Sequence, residues 1–398
     1  MMYFFSVIIK RTFHKAFYAL VRLLAKIYFA FSGYTYIKYR PKSRTYLVLG
    51  NHNTDWDFMY AGIMLKKQMY FVVSEHIFRK GFTGRLIKFL VDPIPRKKGA
   101  SGAEASRKIL ERLKQGCNVG MFAEGNRSYA GTTCFISPNT AKLVKQAGCG
   151  LVNIAIHGGY FVSPRWSKSK RRGPVRAEVV KEYTPEELAL MTEDEVYTAI
   201  KEDLFVDAYA DQKNYPVKYR GKNLAEYLET TLFYCPKCKS FSSMHSSGNE
   251  FFCSSCGMKT QIDEYGYFDK HSPFKTVKRW YREELTYLKN YVNSITDSDT
   301  MLFKDENIKL SLITSESDTL IDNGTMSLFS NRLEFTDKNG KTFLFNVADI
   351  TRISVVKRDR MLFTCNDLYY EVMTTDRPYS ALKYVVASRY LIGKDYTP

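Results

Sequence analysis

Between residues 45 and about 180 one pattern repeats along the chain: a short apolar run, a break, then an amphipathic stretch. "TYLVLG" (45–50), "YFVV" (70–73), "NVGMFA" (118–123) and "LVNIAI" (151–156) are too short for helices. The first reads as a buried strand and the other three as further strands. Helices are expected between them. One starts near residue 55; in a second, Ser101 and Glu104 make a capping box ahead of Ile109, Leu110 and Leu113, and Gly116 closes it. A third is opened by Ser137-Pro138 and stopped at Gly148. This alternation predicts an α/β layered domain with a largely parallel sheet. In such sheets the ligand lies beyond the carboxyl ends of the strands, so the residues just after each apolar run are the ones to read for chemistry.

Beyond that core, 398 residues leave room for two or three domains. Residues 184–225 look helical and linking. Cys235 and Cys238 ("CPKC") and Cys253 and Cys256 ("CSSCG") are separated by 14 residues, a spacing that predicts a zinc ribbon. Four thiolates close a tetrahedral site, so the zinc would be structural; free or redox-active pairs, or iron in the same cage, are the other readings. His245, between the pairs, is expected to face solvent. The other cysteines are scattered and no secretory pattern calls for disulfides, which points to a reducing compartment. "FKTVKRWYREELTYLKNYV" (274–292) reads as a connecting helix. After residue 300 short strands and turn residues predominate, ending in a helix, "YSALKYVVASRYL" (379–391).

The net charge of +18 is unevenly spread. Residues 1–172 hold 30 Lys and Arg against 7 Asp and Glu, whereas the remainder holds 29 against 34. The first part should seek an anionic partner and the second need not. The first 31 residues are apolar and aromatic but interrupted by charge, and no run reaches the roughly 18–20 apolar residues of a spanning helix. Arg11, Lys15, Arg22 and Lys26 fall on one helical stripe. That pattern suits amphipathic helices over residues 1–33 lying in a membrane interface, the basic stripe toward anionic headgroups. A core helix with a wet edge is the alternative. The basic stretch "RWSKSKRR" (165–172) reads as membrane- or cofactor-facing, or as a solvated loop.

Two strand ends and one loop carry groups that could do chemistry. "GNHNTDWD" places His52 directly after the first strand and Asp57 five residues on. Within one helix the two would be roughly 140° apart and could not meet. With His52 in the loop and Asp57 in the first helical turn, the carboxylate reaches the imidazole, fixes its tautomer and leaves the other nitrogen to take a proton. A structural His–Asp pair has the same spacing. "MFAEGNRSYAG" ends a strand at Glu124-Gly125, where Gly125 allows close approach of a ligand and Arg127 offers a bidentate fork for phosphate, or forms a simple turn. "DPIPRKKG" holds Arg96, Lys97 and Lys98 in a Pro-stiffened loop, a second phosphate clamp or a solvated turn.

In this order and spacing the blocks resemble the glycerolipid acyltransferases, typified by the 1-acylglycerol-3-phosphate acyltransferases, over about residues 30–220. Asn51, His52 and Asp57 match the first block of the family. Glu124, Gly125, Asn126, Arg127 and Ser128 stand where Glu-Gly-Thr-Arg-Ser is usual, and Arg96 is the equivalent of the arginine that ends the second block. Asn126 for Thr, and Asn153 where the fourth block carries a proline, depart from the pattern and bear on which acceptor is used. The resemblance implies that His52 acts as general base with Asp57 orienting it. It implies that Arg127 and Arg96 hold an acceptor phosphate, and that Glu124 and Gly125 shape the pocket. The substrate would be a lysophospholipid, the donor acyl-CoA or acyl carrier protein, and the product in the leading case phosphatidic acid. Direct transfer needs no acyl-enzyme, and the chain has no G-x-S-x-G elbow.

The expected layout is interfacial helices over 1–33, an acyltransferase domain over 34–225, a zinc ribbon over 226–268, a linker helix over 269–298 and a β-rich domain over 299–398. The last resembles pleckstrin-homology-like or GRAM-like modules, with packing or protein binding as its role. Such an enzyme would sit peripherally or monotopically on the cytoplasmic face of a membrane. A zinc-ribbon nucleic-acid-binding protein with a basic face is the competing class. It is disfavoured because the basic excess lies away from the cysteines, and binding to liposomes but not to duplex DNA at equal salt separates the two. An inactive lipid-binding scaffold is a third possibility, opposed by the intact residue set.

Overall fold

The computed structural model describes residues 2–75, 78, 81–96, 102–314 and 318–396. They divide into two compact units, one of residues 2–96, 102–164 and 172–219, the other of residues 165–171 and 220–396. Lys97, Lys98 and Ser101 lie outside the described residues, so the second half of the basic clamp and the expected capping box are not described.

The first unit runs α1 (Met2–Ser32), β1 (Tyr34–Tyr36), β2 (Tyr46–Gly50), α2 (Asp57–Leu65), β3 (Met69–Ser74), α3 (Gly81–Val91), β4 (Ile94–Arg96), α4 (Ala103–Lys114), β5 (Asn118–Phe122), α5 (Asn139–Ala147), β6 (Gly150–His157), α6 (Gly159–Val162), β7 (Val175–Tyr183), α7 (Pro185–Leu190), α8 (Glu193–Asp203) and α9 (Ala208–Asn214). Its seven strands lie in the order β1-β7-β6-β2-β5-β3-β4. Every pair is parallel except β6 with β7, so the sheet is mixed but mostly parallel. All five residues of β2 are buried, as its even apolarity predicts for a central strand. One core joins Leu47, Leu49, Val119 and Leu151 of the sheet to Ile109 and Leu113 of α4, Val144 of α5, and Val196 and Ile200 of α8. The segment expected merely to link therefore covers the sheet.

One continuous helix, α1, replaces the expected set. His14, Ala25 and Phe29 are buried, with Phe29 against Tyr60 of α2 at 4.5 Å between ring centroids. Phe13, Leu20, Leu23, Leu24, Ile27, Tyr28 and Phe31 are exposed, and at 100° per residue they share a sector about 140° wide. Arg11, Lys15, Arg22 and Lys26 lie on the far side of the helix from that sector, next to the packed residues, and Arg11 donates to the Gln115 side chain at 2.9 Å. No helix among the described residues is long and apolar enough to cross a membrane.

In the second unit β8 (Met244–Ser247), β9 (Glu250–Cys253) and β10 (Lys259–Gln261) form a small antiparallel sheet, followed by α10 (Val277–Asn293). Then come β11 (Met301–Ile313), β12 (Asp318–Phe329), β13 (Arg332–Asp337), β14 (Thr342–Asn346), β15 (Ile350–Val356), β16 (Arg360–Cys365) and β17 (Leu368–Met373), closed by α11 (Ala381–Leu391). These strands are antiparallel in the order β14-β13-β12-β11-β17-β16-β15. Two expectations are corrected here. Far from a linker, α10 is core: Trp280, Glu284 and Leu288 have no exposed surface. The basic stretch at 165 is only partly free surface, because Arg165, Trp166 and Arg171 are buried in this unit, bonded to Val355, Arg358 and Leu224. Lys168, Ser169, Lys170 and Arg172 are exposed and Ser167 partly so.

Candidate active site

The loop after β2 is built around one carboxylate. Asp57 opens α2, where the free N–H groups of a helix start favour negative charge. It is wholly buried, and its Oδ2 accepts from Nδ1 of His52 at 2.9 Å and from the backbone N–H groups of Asn53 and Thr54 at 2.7 and 2.9 Å. The hydroxyl of Thr54 donates to Oδ1 at 2.6 Å. A carboxylate can only accept, so His52 carries its proton on Nδ1 and presents Nε2 as the basic nitrogen. The imidazole lies flat on Phe122, 4.7 Å between centroids and 17° between planes, and keeps 22% of its side chain exposed. Nε2 makes no hydrogen bond among the described residues.

Asn51 explains the first half of the Asn-His pair. Its side chain donates to the carbonyl of Ile156 at 2.9 Å and accepts from the N–H of Ile156 at 2.7 Å. The amide thus continues the β2–β6 ladder by one rung, and frees the backbone of the next residue to turn away. Its role is positioning.

The loop after β5 is stitched to this one. Glu124 accepts from the His52 N–H through one oxygen and from the Cys134 N–H through the other, both at 2.5 Å. Ser128 N–H donates to the His52 carbonyl at 3.0 Å, and Arg127 Nε to the Asn53 carbonyl at 2.8 Å. Burial outweighs the two N–H donors and pushes the Glu124 carboxyl up to about 8 from an ordinary 4.5. The turn that makes this possible needs Gly125, at φ +66°. The close approach expected of a ligand there is made by Arg96, whose guanidinium lies 2.8 Å from where a Cβ would stand.

His52, Asp57, Glu124, Gly125, Arg127 and Arg96 are therefore brought together at the carboxyl ends of β2, β4 and β5. Arg127 differs in detail from the sequence expectation. Its guanidinium donates to the carbonyl and hydroxyl of Ser163 as well as to Asn53, with Asp55 at 3.6 Å. It is a brace between three loops with its cationic end at the site. Thr54, Phe122 and Ser163 were not singled out from sequence. For Thr54 a signal existed, since Thr-x-x-Asp is a capping-box pattern; the other two contacts are long-range and leave no local trace.

In the second unit the sulfurs of Cys235, Cys238, Cys253 and Cys256 all lie within 4.8 Å of one another, with 3.7 Å from Cys235 to Cys256 and 3.6 Å from Cys238 to Cys253. A tetrahedral zinc with Zn–S of 2.3 Å requires sulfurs about 3.8 Å apart, so the four thiols fit a zinc ion, and are too far apart for disulfides. The two turns are near copies. Lys239 and Gly257 take φ of +67° and +70°, and their N–H groups donate to the carbonyls of Cys235 and Cys253. Burial raises the Cys253 thiol, but the Ser243 hydroxyl at 3.0 Å and backbone donors more than offset it, leaving it at about 6. His245 is in β8 rather than a loop, half-buried with its ring stacked on Phe252.

Comparison with known proteins bears on the first site. Residues 33–157 match the family model described as Acyltransferase, a span that carries all six of the residues assembled above. The crystal structure of the 1-acyl-sn-glycerophosphate (LPA) acyltransferase PlsC from Thermotoga maritima is similar at 17% identity, over 51% of this chain and 81% of that one, with a TM-score of 0.42. No curated protein matches the sequence.

Proposed function

We propose that the chain is an O-acyltransferase that moves a fatty acyl group from a thioester to the free hydroxyl of a lysophospholipid, in the leading case 1-acylglycerol-3-phosphate to give phosphatidic acid. One observation carries the reading: a His52–Asp57 pair at 2.9 Å with its second nitrogen at the surface, beside two arginines, inside a segment that matches an acyltransferase model. Nε2 of His52 takes the proton from the acceptor hydroxyl as its oxygen attacks the thioester carbonyl carbon. The C–S bond breaks, and the thiolate recovers a proton from the imidazolium. Asp57 holds the Nδ1 proton throughout and stabilises the charged ring. Arg96 and Arg127 supply the positive charge that would hold the acceptor phosphate. Acyl-CoA and acyl carrier protein both present the required thioester. A thiolate leaves readily, so positioning and one base suffice. The four cysteines would hold a structural zinc, and α1 would rest on the cytoplasmic face of a membrane as a peripheral or monotopic anchor.

The test is acyl transfer by the purified protein across a panel of lysolipids with both donors. Wild type should transfer to at least one lysolipid, and His52→Ala should lower kcat by about 10²–10⁴-fold, the usual worth of a general base. Transfer by neither donor to any lysolipid, or an alanine variant within about threefold of wild type, sinks the proposal.

A further inference from the structure

Helix α3 carries an apolar stripe that faces away from the protein. Phe82 is 79% exposed and Phe89 62%, with Leu86 exposed between them. At spacings of four and seven they lie within about 60° of one another, flanked on one side by exposed Arg85 and Lys88. Gly84, on the opposite side, is packed against the backbone of Phe78. This is the amphipathic pattern of a surface helix turned outward.

The stripe is continuous with the exposed sector of α1. The carbonyl of Phe89 is bonded to Nε2 of His14 at 3.0 Å, and the rings of Phe89 and Phe13 are 5.4 Å apart. Phe13 begins the outward sector of α1, so the two helices present one apolar face running from Phe31 to Phe82. Arg85 and Lys88 border the stripe on α3, Lys15 and Lys26 stand about 60–80° beyond one edge of the α1 sector, and the chain has no acidic residue before Asp55.

We infer that α1 and α3 together form a docking surface for an anionic lipid bilayer, α3 inserting Phe82, Leu86 and Phe89 at the level of the headgroups. Large aromatic and aliphatic side chains beside cations are what an interface of apolar tails and phosphate headgroups recognises. A second copy of the chain would meet the same cations at a paired edge and be repelled. The arrangement also has a consequence for the reaction. Five residues after α3 ends, Arg96 reaches Gly125, so the helix that touches lipid leads directly to a residue proposed to hold the acceptor phosphate. The inference rests on the acyltransferase reading only for that consequence; bilayer binding is measured without it.

The experiment is co-sedimentation of the full chain with vesicles of phosphatidylcholine alone or mixed with phosphatidylglycerol. Wild type should bind the mixed vesicles. Phe82→Ser combined with Phe89→Ser should weaken that binding about tenfold or more, and Arg85→Glu with Lys88→Glu should weaken it for mixed vesicles only. Leu190→Ser, an 89% exposed apolar residue elsewhere in the same unit, should change nothing. Phe82→Trp, which needs no loss of contact, should gain fluorescence quenching by acyl-chain-brominated lipid over the wild-type background. Transfer to a short-chain, monomeric lysolipid should survive in the serine variant; its absence in wild type would count against the enzyme reading and leave the docking result standing. Equal vesicle binding by wild type and the double serine variant overturns the inference, as does a wild-type dimer that the same variant dissociates without losing vesicle binding.

Discussion

The candidate site holds two buried carboxylates bonded to His52, Asp57 at the ring and Glu124 at the backbone N–H, and their surroundings set them apart. Asp57 receives four hydrogen bonds, all of them from residues 52–54, which precede its helix. Glu124 receives two in a site where burial dominates, and its pKa is raised to about 8. The consequence for stability follows from linkage. The unfolded chain gives up this proton near pH 4.5, the folded chain keeps it to about 8, so the contribution is present in full below pH 4.5 and lost as pH rises through that window. Glu124→Gln cannot titrate. Its midpoint of thermal unfolding should fall less between pH 5 and pH 8 than that of wild type. It should also lie below wild type at pH 5, because an amide N–H would face one of the two backbone donors. Parallel curves for the two proteins would show that Glu124 does not titrate in this range.

At the scale of elements, the site depends on three loops tied by side-chain bonds to backbone. Gly125 is where the sequence expectation and the structure differ most usefully. Its positive φ disfavours any side chain, and Arg96 occupies the space one would need. Gly125→Ala should therefore displace the guanidinium and raise the KM for a phosphate-bearing acceptor about tenfold, with kcat within about threefold. An unchanged KM, measured with the assay proposed above, would remove Arg96 from acceptor binding. The strands were legible because a strand covered on both faces must be largely apolar, and β2, β5 and β6 are, but for Asn118, Asn153 and His157. His52 and Asp57 were legible because their contact spans five residues. Arg127 was read as a free clamp because its partners are carbonyls at Asn53 and Ser163, and any residue supplies a carbonyl. Helix α3 escaped because its apolar stripe faces out, against the rule that apolar periodicity marks the buried side. Helices α7 and α8 looked like linkers because only Leu188, Val196 and Ile200 of them are apolar and buried.

At the scale of the whole molecule, the sequence divides the carboxyl-terminal half into ribbon, linker and β-rich domain, but the coordinates join them in one unit. Phe251 of the ribbon packs on Trp280 of α10 at 5.2 Å, and Phe241 on Phe303 of β11 at 5.6 Å. Arg377, between β17 and α11, donates to Glu229 and Glu226 at 2.6 Å and to the Ser246 carbonyl at 2.9 Å. Lys383 of α11 is buried with Asp305 at 2.8 Å and the Ser242 hydroxyl at 2.9 Å. A buried ammonium tolerates little movement of either partner, because leaving it unpaired costs on the order of 3–5 kcal/mol. Loss of metal should therefore be felt well beyond the cysteines. The four thiolates would repel or protonate, the turns at Lys239 and Gly257 would open, and Ser242, four residues from Cys238, would leave Lys383 short of an acceptor. Hydrogen exchange measured before and after chelation should show protection lost in β8, β9, β11 and α11 together, and restored by zinc. Faster exchange confined to residues 235–257, with β11 and α11 unchanged, would mean that the ribbon is an independent module and that the polar contacts to Arg377 and Lys383 carry no coupling.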